Sequence, residues 1–138
     1  MSAELKFVLV LLALAAASAP VAVGVIEWQD VRQARTNAEA MTGGSVDAGK
    51  QAIRRRGCES CHAIEAARSE QGKVGPPLVG IASRAQIAGI LPNQPDQMIR
   101  WIREPQHVLP GNGMPDQGIG TREARDIAAY LYTLRKAS

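Results

Sequence analysis

The sequence predicts an all-α chain in two parts, a single N-terminal membrane-spanning helix and a small helical domain. Residues 7–26 are almost entirely apolar, and about 20 such residues in a helix span a bilayer core. Apolar residues then recur at helical spacing within 96–103 and 121–135. No stretch alternates apolar and polar residues in the way that a half-buried strand would.

The apolar run is interpreted as an uncleaved membrane anchor, with a cleaved signal peptide as the alternative. Ala17-Ser18-Ala19 resembles a signal-peptidase site. However, Pro20 follows it directly, which should block cleavage, and the apolar residues continue to Ile26. Trp28 stands where an aromatic residue of the membrane interface is expected. The charges that flank the run nearly balance, so they do not predict its orientation.

The sequence suggests three segments, an anchor over 1–26, a polar tether over 27–45 and a folded domain over 46–138. As a flexible coil the tether would have a root-mean-square reach of about 25 Å. A helix over 33–41 is the alternative for its first half. A flexible tether would let the anchored domain swing between neighbours in the membrane.

Helical periods and capping residues predict three helices in the domain, over 46–56, 96–103 and 121–135. Pro95 suits the first turn of the second helix, and Pro105 should end it. Thr121 is expected to cap the third helix. The stretch 63–74 has no regular period. Arg54 to Arg56 form a basic run that is interpreted as a solvated helix face, with a docking patch as the alternative.

Composition and charge exclude some classes of function. The formal net charge is only +3, which is not the basic footprint of a nucleic-acid-binding protein. A mildly basic domain is compatible with docking on an acidic redox partner. Aromatic residues make up only 4% of the chain, so the domain is short of large core side chains. A bound cofactor would supply the missing apolar surface.

The five residues from Cys58 to His62 form a C-x-x-C-H motif, which is the attachment signature of c-type haem. Two thiols one turn apart can bond to two different edges of one porphyrin. His62, the next residue, is then placed to ligate the iron. The motif predicts one covalent haem c, bound through Cys58 and Cys61. Covalent haem is attached outside the cytoplasm, so the domain is expected to face the periplasm.

Two non-haem interpretations of the cysteine pair remain. A zinc site needs further ligands, and His107 is the only histidine outside the motif. A thioredoxin-like redox disulfide would need a βαβ context, which the pattern does not show. Haem is therefore favoured.

The second axial ligand of the iron has several candidates. Met114 is favoured because Gly113 and Pro115 flank it in a loop braced by Pro110, and a thioether needs fixed geometry to stay on iron. Met98 lies on an apolar helix face and is interpreted as core. His107 and an open coordination site remain alternatives.

From residue 49 to residue 134 the chain resembles the class I, mitochondrial-type monohaem cytochromes c, especially bacterial membrane-anchored or oxidase-associated forms. Several motifs in order support the resemblance: the haem motif, Gly75-Pro76, Arg84, Trp101-Ile102-x-x-Pro105, Pro110-Gly-x-x-Met114-Pro115 and a closing helix around Asp126 to Leu131. The resemblance implies a small helical fold wrapped around one covalent haem. It does not extend to the anchor or the tether.

The resemblance also implies roles for individual residues. His62 and Met114 match the iron ligands of the family. Pro76 matches the proline whose carbonyl accepts the other ring N–H of the ligand histidine, and Arg84 matches the arginine near a propionate. Trp101 matches the aromatic residue beside the methionine face. Gly49 and Tyr130 resemble the crossing of the first and last helices, although Gly49 lies one residue further from the motif than the pattern has it.

These observations predict electron transfer by a membrane-anchored cytochrome in a respiratory chain, and not an enzyme. Expected partners are a quinol-oxidising complex and a terminal oxidase or other acceptor, at the bacterial inner membrane. One alternative is a fixed haem subunit of an oxidase or dehydrogenase. Others are a ligand-binding haem sensor or peroxidase and a membrane-anchored dithiol oxidoreductase.

Overall fold

The computed structural model describes residues 2–64, 72 and 74–135. Its elements in chain order are α1 (Ala3–Thr42), α2 (Val46–Arg55), a 3₁₀ turn (Cys58–Ser60), a second 3₁₀ turn (Ile81–Ser83), β1 (Gln86–Ile87), β2 (Leu91–Pro92), α3 (Pro95–Arg103), α4 (Pro105–Val108) and α5 (Thr121–Thr133). The chain divides into two compact units, residues 1–33 and 34–138. The all-α prediction is confirmed, with one very short β-hairpin added.

The first unit consists of the N-terminal part of α1. Its large apolar side chains are exposed, among them Phe7, Leu12 and Leu14, and Pro20 lies within the helix. In the described part of the chain, α1 is the one helix long and apolar enough to cross a membrane. Near the end of this unit, the Arg32 guanidinium lies 3.8 Å from the centre of the Trp28 ring. This stacking matches an interfacial position for both residues.

The last nine residues of α1 belong to the second unit and pack on it, with Ala38 and Thr42 buried. Glu39 joins this segment to the start of α2, where its Oε1 accepts from Val46 N at 3.0 Å. Just after the segment, Asp126 Oδ1 accepts from Ser45 N at 2.7 Å and joins the connection to α5. Residues 27–42 are helical because they belong to α1. This part of the predicted tether is therefore not a flexible coil in the structure. The division into anchor, tether and domain stays a prediction.

The core of the second unit forms where α2 crosses α5. Helix α2 presents Gly49 at the crossing, so its backbone comes close to that of α5. A Cβ atom built on Gly49 would lie 1.9 Å from Asp126 O and 3.0 Å from Tyr130 Cβ. Gly49 thus has the packing role that the family resemblance implied, despite its displacement by one residue.

The buried face of α5 supplies much of the core. Its most buried residues include the predicted Ala124, Ile127 and Leu131, whereas Leu134 is only partly buried. The helix begins after Gly120, and no side chain caps it, so the prediction that Thr121 is the cap is wrong. It ends at Thr133, two residues before the predicted end.

The β-hairpin was not predicted, and its turn explains why. Strands β1 and β2 pair antiparallel over only two residues each. Ala88 and Gly89 between them both have positive φ, 52° and 74°. An alanine in the left-handed region is uncommon, so Ala88 gives no signal of a turn at this position.

The predicted helix boundaries around Pro105 are nearly correct. Helix α3 begins at Pro95 and ends at Arg103, and a single further turn, α4, begins at Pro105 itself. A proline is tolerated there because the first turn of a helix needs no N–H donor. Most of the irregular stretch predicted at 63–74 lies outside the described residues.

The basic run at the end of α2 is paired with α5. Arg56 donates to Glu123 at 2.5 and 3.1 Å, and Arg55 reaches the same carboxylate at 3.4 Å. The hydrogen bond and charge of Arg56 hold the pKa of Glu123 below its ordinary value of 4.5. Arg54 to Arg56 were interpreted as a solvated face, but Arg55 and Arg56 form ion pairs with Glu123 that connect the end of α2 to α5.

We predict that the Arg56–Glu123 pair stabilises the domain at neutral pH but not in acid. A carboxyl whose pKa is lowered by folding adds stability above its unfolded-state pKa, and this is lost as the pH falls through the folded-state value. A double-mutant cycle with Arg56→Gln and Glu123→Gln, followed by urea unfolding, should show a favourable coupling at pH 7. The coupling should shrink below about pH 4.5. A coupling that is unchanged in acid would contradict this account.

We also predict that Gly49→Val is strongly destabilising, because the new side chain would overlap the backbone of α5. Overpacking a tight contact costs about 1–3 kcal/mol and more against backbone, so a loss of about 3 kcal/mol is expected in urea unfolding. Gly120→Ala is the matched control, since φ there is −71° and no atom lies within 4 Å of the added Cβ. It should cost less than about 1 kcal/mol. Equal losses in the two variants would refute the close crossing.

Candidate haem-binding site

The two cysteines lie on one tight turn directly after α2. Gly57 has φ of 67°, which turns the chain out of the helix, and the 3₁₀ turn Cys58–Ser60 follows. His62 N donates to Cys58 O at 2.9 Å, which closes the turn. Cys58 is half-buried and packs against the core, whereas Cys61 is exposed. Burial raises the pKa of the Cys58 thiol.

The His62 ring is fixed through one of its two nitrogens. Its Nδ1 lies 2.7 Å from the carbonyl oxygen of Pro76. A carbonyl can only accept, so Nδ1 is the donor, and in the neutral ring Nε2 presents its lone pair. The backbone of Gly75 lies against the ring, since a Cβ built there would be 2.5 Å from Cε1. The arrangement prepares Nε2 to ligate a metal ion.

The segment that contains Pro76 is tied to the haem motif on both sides of it. Gly75 N donates to Cys61 O at 2.8 Å, and Leu78 N donates to Ala63 O at 2.7 Å. These two bonds set the register between the segment and the motif. The Pro76 carbonyl consequently meets the His62 ring.

The Arg84 side chain also bonds to the segment that contains Pro76. Its Nη2 atom donates to Pro77 O and, at 3.3 Å, to Val79 O. The side chain is half-buried. A guanidinium group has five donors, so these contacts leave others for the propionate that the family resemblance implies.

An amide network that the sequence analysis did not identify holds the turn before Arg84. Asn93 Nδ2 donates to Ile81 O and to Arg84 O, both at 2.8 Å. Tyr132 on α5 donates its hydroxyl to Asn93 Oδ1 at 2.9 Å. Burial raises the pKa of Tyr132 to about 12, so the hydroxyl remains a donor over the physiological range. The network links α5 to Arg84.

Two further amides brace the loop of Met114. Asn112 Oδ1 accepts from Met114 N at 2.7 Å, and Gln106 Nε2 donates to Met114 O at 2.8 Å. Asn112 Nδ2 also donates to Pro105 O and Leu109 O, at 2.8 and 2.7 Å. Side-chain amides therefore brace this loop in addition to the prolines and glycines from which the sequence predicted a rigid loop.

The structure separates the other candidate residues by burial. Met98 is 2% exposed and lies in the core, as its position on the apolar face predicted. His107 is exposed on α4, and Met114 is half-buried. Trp101 is partly buried and packs against the core cluster.

The donor set of the described residues fits a c-type haem. Cys58 and Cys61 both have free thiols, and His62 has one nitrogen committed and one available. The missing Cβ of Gly75 makes room for the imidazole ring. By contrast, no group of three or more His, Cys, Asp or Glu side chains suited to a metal ion occurs within 2–64, 72 and 74–135. The zinc interpretation therefore gains no support.

Fold and site together define a small helical haem protein that transfers electrons. Residues 46–135 match the family model described as cytochrome c, so the chain belongs to the cytochrome c family. The expected resemblance is thereby confirmed, and the chain has a haem-based electron-transfer domain. The match begins at α2 and includes every residue proposed above as a contact of the haem.

Curated relatives are similar over the same part of the chain. Cytochrome c oxidase subunit 2 of Bacillus sp. (strain PS3) is 35% identical over 89 residues, 62% of this chain and 25% of the relative. The proteins of the same name from Alkalihalophilus pseudofirmus and Bacillus subtilis are 31% and 29% identical over 88 and 86 residues, covering 63% and 61% of this chain. This chain spans about a quarter of the length of these relatives. No solved structure matches significantly.

Three residues important for the site were not identified from the sequence: Asn93, Gln106 and Asn112. All three act through side-chain amides that bond to backbone carbonyls or N–H groups. Asn112, between two glycines, is typical of a turn in which the side chain bonds to the backbone two residues on, and that signal was available. Asn93 bonds to residues up to 39 positions away and Gln106 to a residue 8 positions away, for which a sequence gives no local pattern.

Proposed function

We propose that this chain is a membrane-anchored c-type cytochrome that passes single electrons to a terminal oxidase. One haem would be held covalently by Cys58 and Cys61. His62 and Met114 would be its axial ligands. Bound haem would supply a one-electron couple at its iron.

The hydrogen bond between His62 Nδ1 and Pro76 O is the observation that supports this proposal most strongly. A dithiol oxidoreductase or a zinc site has no need of an oriented imidazole beside the cysteines. A ligand histidine does, because the bond fixes the ring and strengthens its free nitrogen as a donor. Gly75, which lies against the ring, allows the close approach that the bond requires.

Met114 is proposed as the second ligand because its backbone is held at both ends of the residue. Asn112 and Gln106 bond to its N–H and its carbonyl. Thioether ligation raises a haem potential relative to two histidines. With His62 and Met114 in place, this chain would fill both axial positions, which leaves no position for a substrate. The domain is therefore proposed as a carrier, although an oxidase complex that contained it would be an enzyme.

The names of the relatives favour a terminal oxidase as the partner. All three are subunits of cytochrome c oxidase. A dehydrogenase, which the sequence left open, has no comparable support. We propose a quinol-oxidising complex as the donor, since it would supply electrons at the same membrane.

The membrane arrangement is proposed from α1. The helix would cross the bacterial inner membrane once, with the haem domain in the periplasm. Residues 34–45 pack on the domain, so only 27–33 remain between the apolar run and Ala34. Even fully extended, these seven residues reach about 25 Å. Such a short link supports electron transfer within an oxidase assembly, or to one beside it, over long-range swinging.

Carbon monoxide binding tests the proposed ligand set against a haem sensor or peroxidase. The reduced wild-type protein should bind carbon monoxide weakly, and Met114→Ala should bind it tightly. Asn112→Ala should lie between them, with an affinity about tenfold above wild type, because hydrogen bonds that hold Met114 are lost. Spectroscopic titration measures all three. Met98→Leu is the control and should match wild type, since Met98 lies in the core.

Tight binding by the wild-type protein would exclude the closed carrier site. Tight binding by Met98→Leu but not by Met114→Ala would show that Met98, and not Met114, is the second ligand of the iron.

A haem-stained native gel of detergent-solubilised source membranes, probed for this chain, tests the proposed partner. We expect haem and chain to comigrate in a large band with oxidase subunits. A haem-positive band near the monomer mass would instead indicate an anchored shuttle. Chain without haem stain, in protein made with the haem-attachment machinery, would refute the whole proposal. Cys58→Ala with Cys61→Ala is the control that should lose the stain.

A further inference from the structure

Asn93 lies outside the haem motif, yet its side chain has all of its polar groups in use. Both hydrogens of its amide nitrogen are donated, one to Ile81 O and one to Arg84 O. Its oxygen accepts from Tyr132. The backbone N–H of Asn93 also donates to Ala85 O, at 3.0 Å. Few side chains can join two carbonyls and a hydroxyl in this way, because the task needs two donors and an acceptor on one planar group.

The two carbonyls that Asn93 holds belong to the ends of one turn. Ile81 begins the 3₁₀ turn and Arg84 follows its last residue, in extended conformation with ψ of 148°. Within the turn, Ala82 N donates to Leu134 O at 3.1 Å. The turn is therefore attached twice, once through this backbone bond to the residue that follows α5 and once to α5 itself through Asn93 and Tyr132. The backbone of Arg84 has a fixed position as a result.

From that backbone the Arg84 side chain reaches back to the segment beside the haem motif. Its Nη2 atom bonds to the carbonyls of Pro77 and Val79. The neighbouring carbonyl, that of Pro76, accepts from His62. We infer that Asn93 is a positioning residue for His62: it fixes Arg84, which holds the segment that provides the ring's acceptor. The inference rests on the proposed role of His62 as an iron ligand.

The consequence concerns the strength of His62 as a donor. A well-oriented carbonyl at Nδ1 increases the electron density that the ring gives to a metal, which favours the more highly charged, ferric state. If Asn93 is lost, the segment around Pro76 can shift and the bond lengthens. The ring then donates less electron density to the iron. The ferrous state becomes more stable relative to the ferric state, so the reduction potential rises. The proton on Nδ1 also becomes more accessible to water.

Asn93→Leu tests the inference in the holoprotein, because leucine has nearly the shape of asparagine but no polar atoms. Two quantities are measured: the exchange rate of the His62 ring N–H with deuterium by NMR in the reduced protein, and the reduction potential. We expect the ring proton to exchange about tenfold faster, as for the loss of one hydrogen bond. The potential should move upward. Unchanged exchange and potential would overturn the inference.

One control variant separates positioning from general loss of stability. Ile53→Val loosens the buried core of α2 without touching the network. It should unfold more easily and yet keep the wild-type exchange rate and potential. Tyr132→Phe removes the bond to Asn93 Oδ1 but leaves both bonds of Nδ2, so it should shift both quantities in the same direction as Asn93→Leu but less far. If Ile53→Val shifts them as far as Asn93→Leu does, the effect is not one of positioning and the inference fails.

The wild-type protein distinguishes this inference from the proposed function. A wild-type ring N–H that exchanges freely, or a wild type without covalent haem, would refute the proposed role of His62 itself. A protected wild-type ring with no effect of Asn93→Leu would refute only the inference. If Asn93→Leu does not fold, Asn93→Ser replaces the two amide donors with a single hydroxyl donor. It should give the same directions of change, and wild-type values in that variant would overturn the inference.

Discussion

The placement of the His62 ring is the constraint on which the rest of the site depends. The ring must lie close enough to the backbone of residues 75–76 to bond with the Pro76 carbonyl, and only glycine at position 75 permits this. Hydrogen bonds from Gly75 to Cys61 and from Leu78 to Ala63 then keep the segment in register with the motif.

Neutral amides hold both sides of the proposed haem site. Asn93 secures the segment that faces His62, and Asn112 with Gln106 secures the loop of Met114. An amide can satisfy a carbonyl without bringing a net charge into a half-buried position, where an unpaired charge is costly. Because an amide is uncharged, it also adds no charge to the site in either oxidation state of a bound haem. Arg84 differs from these amides, because its guanidinium brings a positive charge to the segment beside the haem motif.

The sequence was sufficient for the parts that depend on local pattern. The apolar run, the helices around α3 and α5 and the haem motif follow from periodicity and spacing, and the family match confirms the class. The hairpin was missed because Ala88 takes a left-handed conformation. The role of Asn93 was missed because its partners lie up to 39 residues away. Both depend on tertiary contacts, which override the local preferences that a sequence displays.

The attachment of residues 34–45 to the domain depends on backbone capping more than on ion pairs. Arg35 and Asp47 form a two-pronged pair at 3.1 and 2.6 Å, but both side chains are well exposed, so salt screens their attraction. The N–H groups of Ser45 and Val46, at the start of α2, are bonded instead to Asp126 and Glu39 in partly buried positions. Those groups have no partner within their own helix. Releasing the segment would expose them, so the attachment should persist at the ionic strengths that weaken docking to a charged partner.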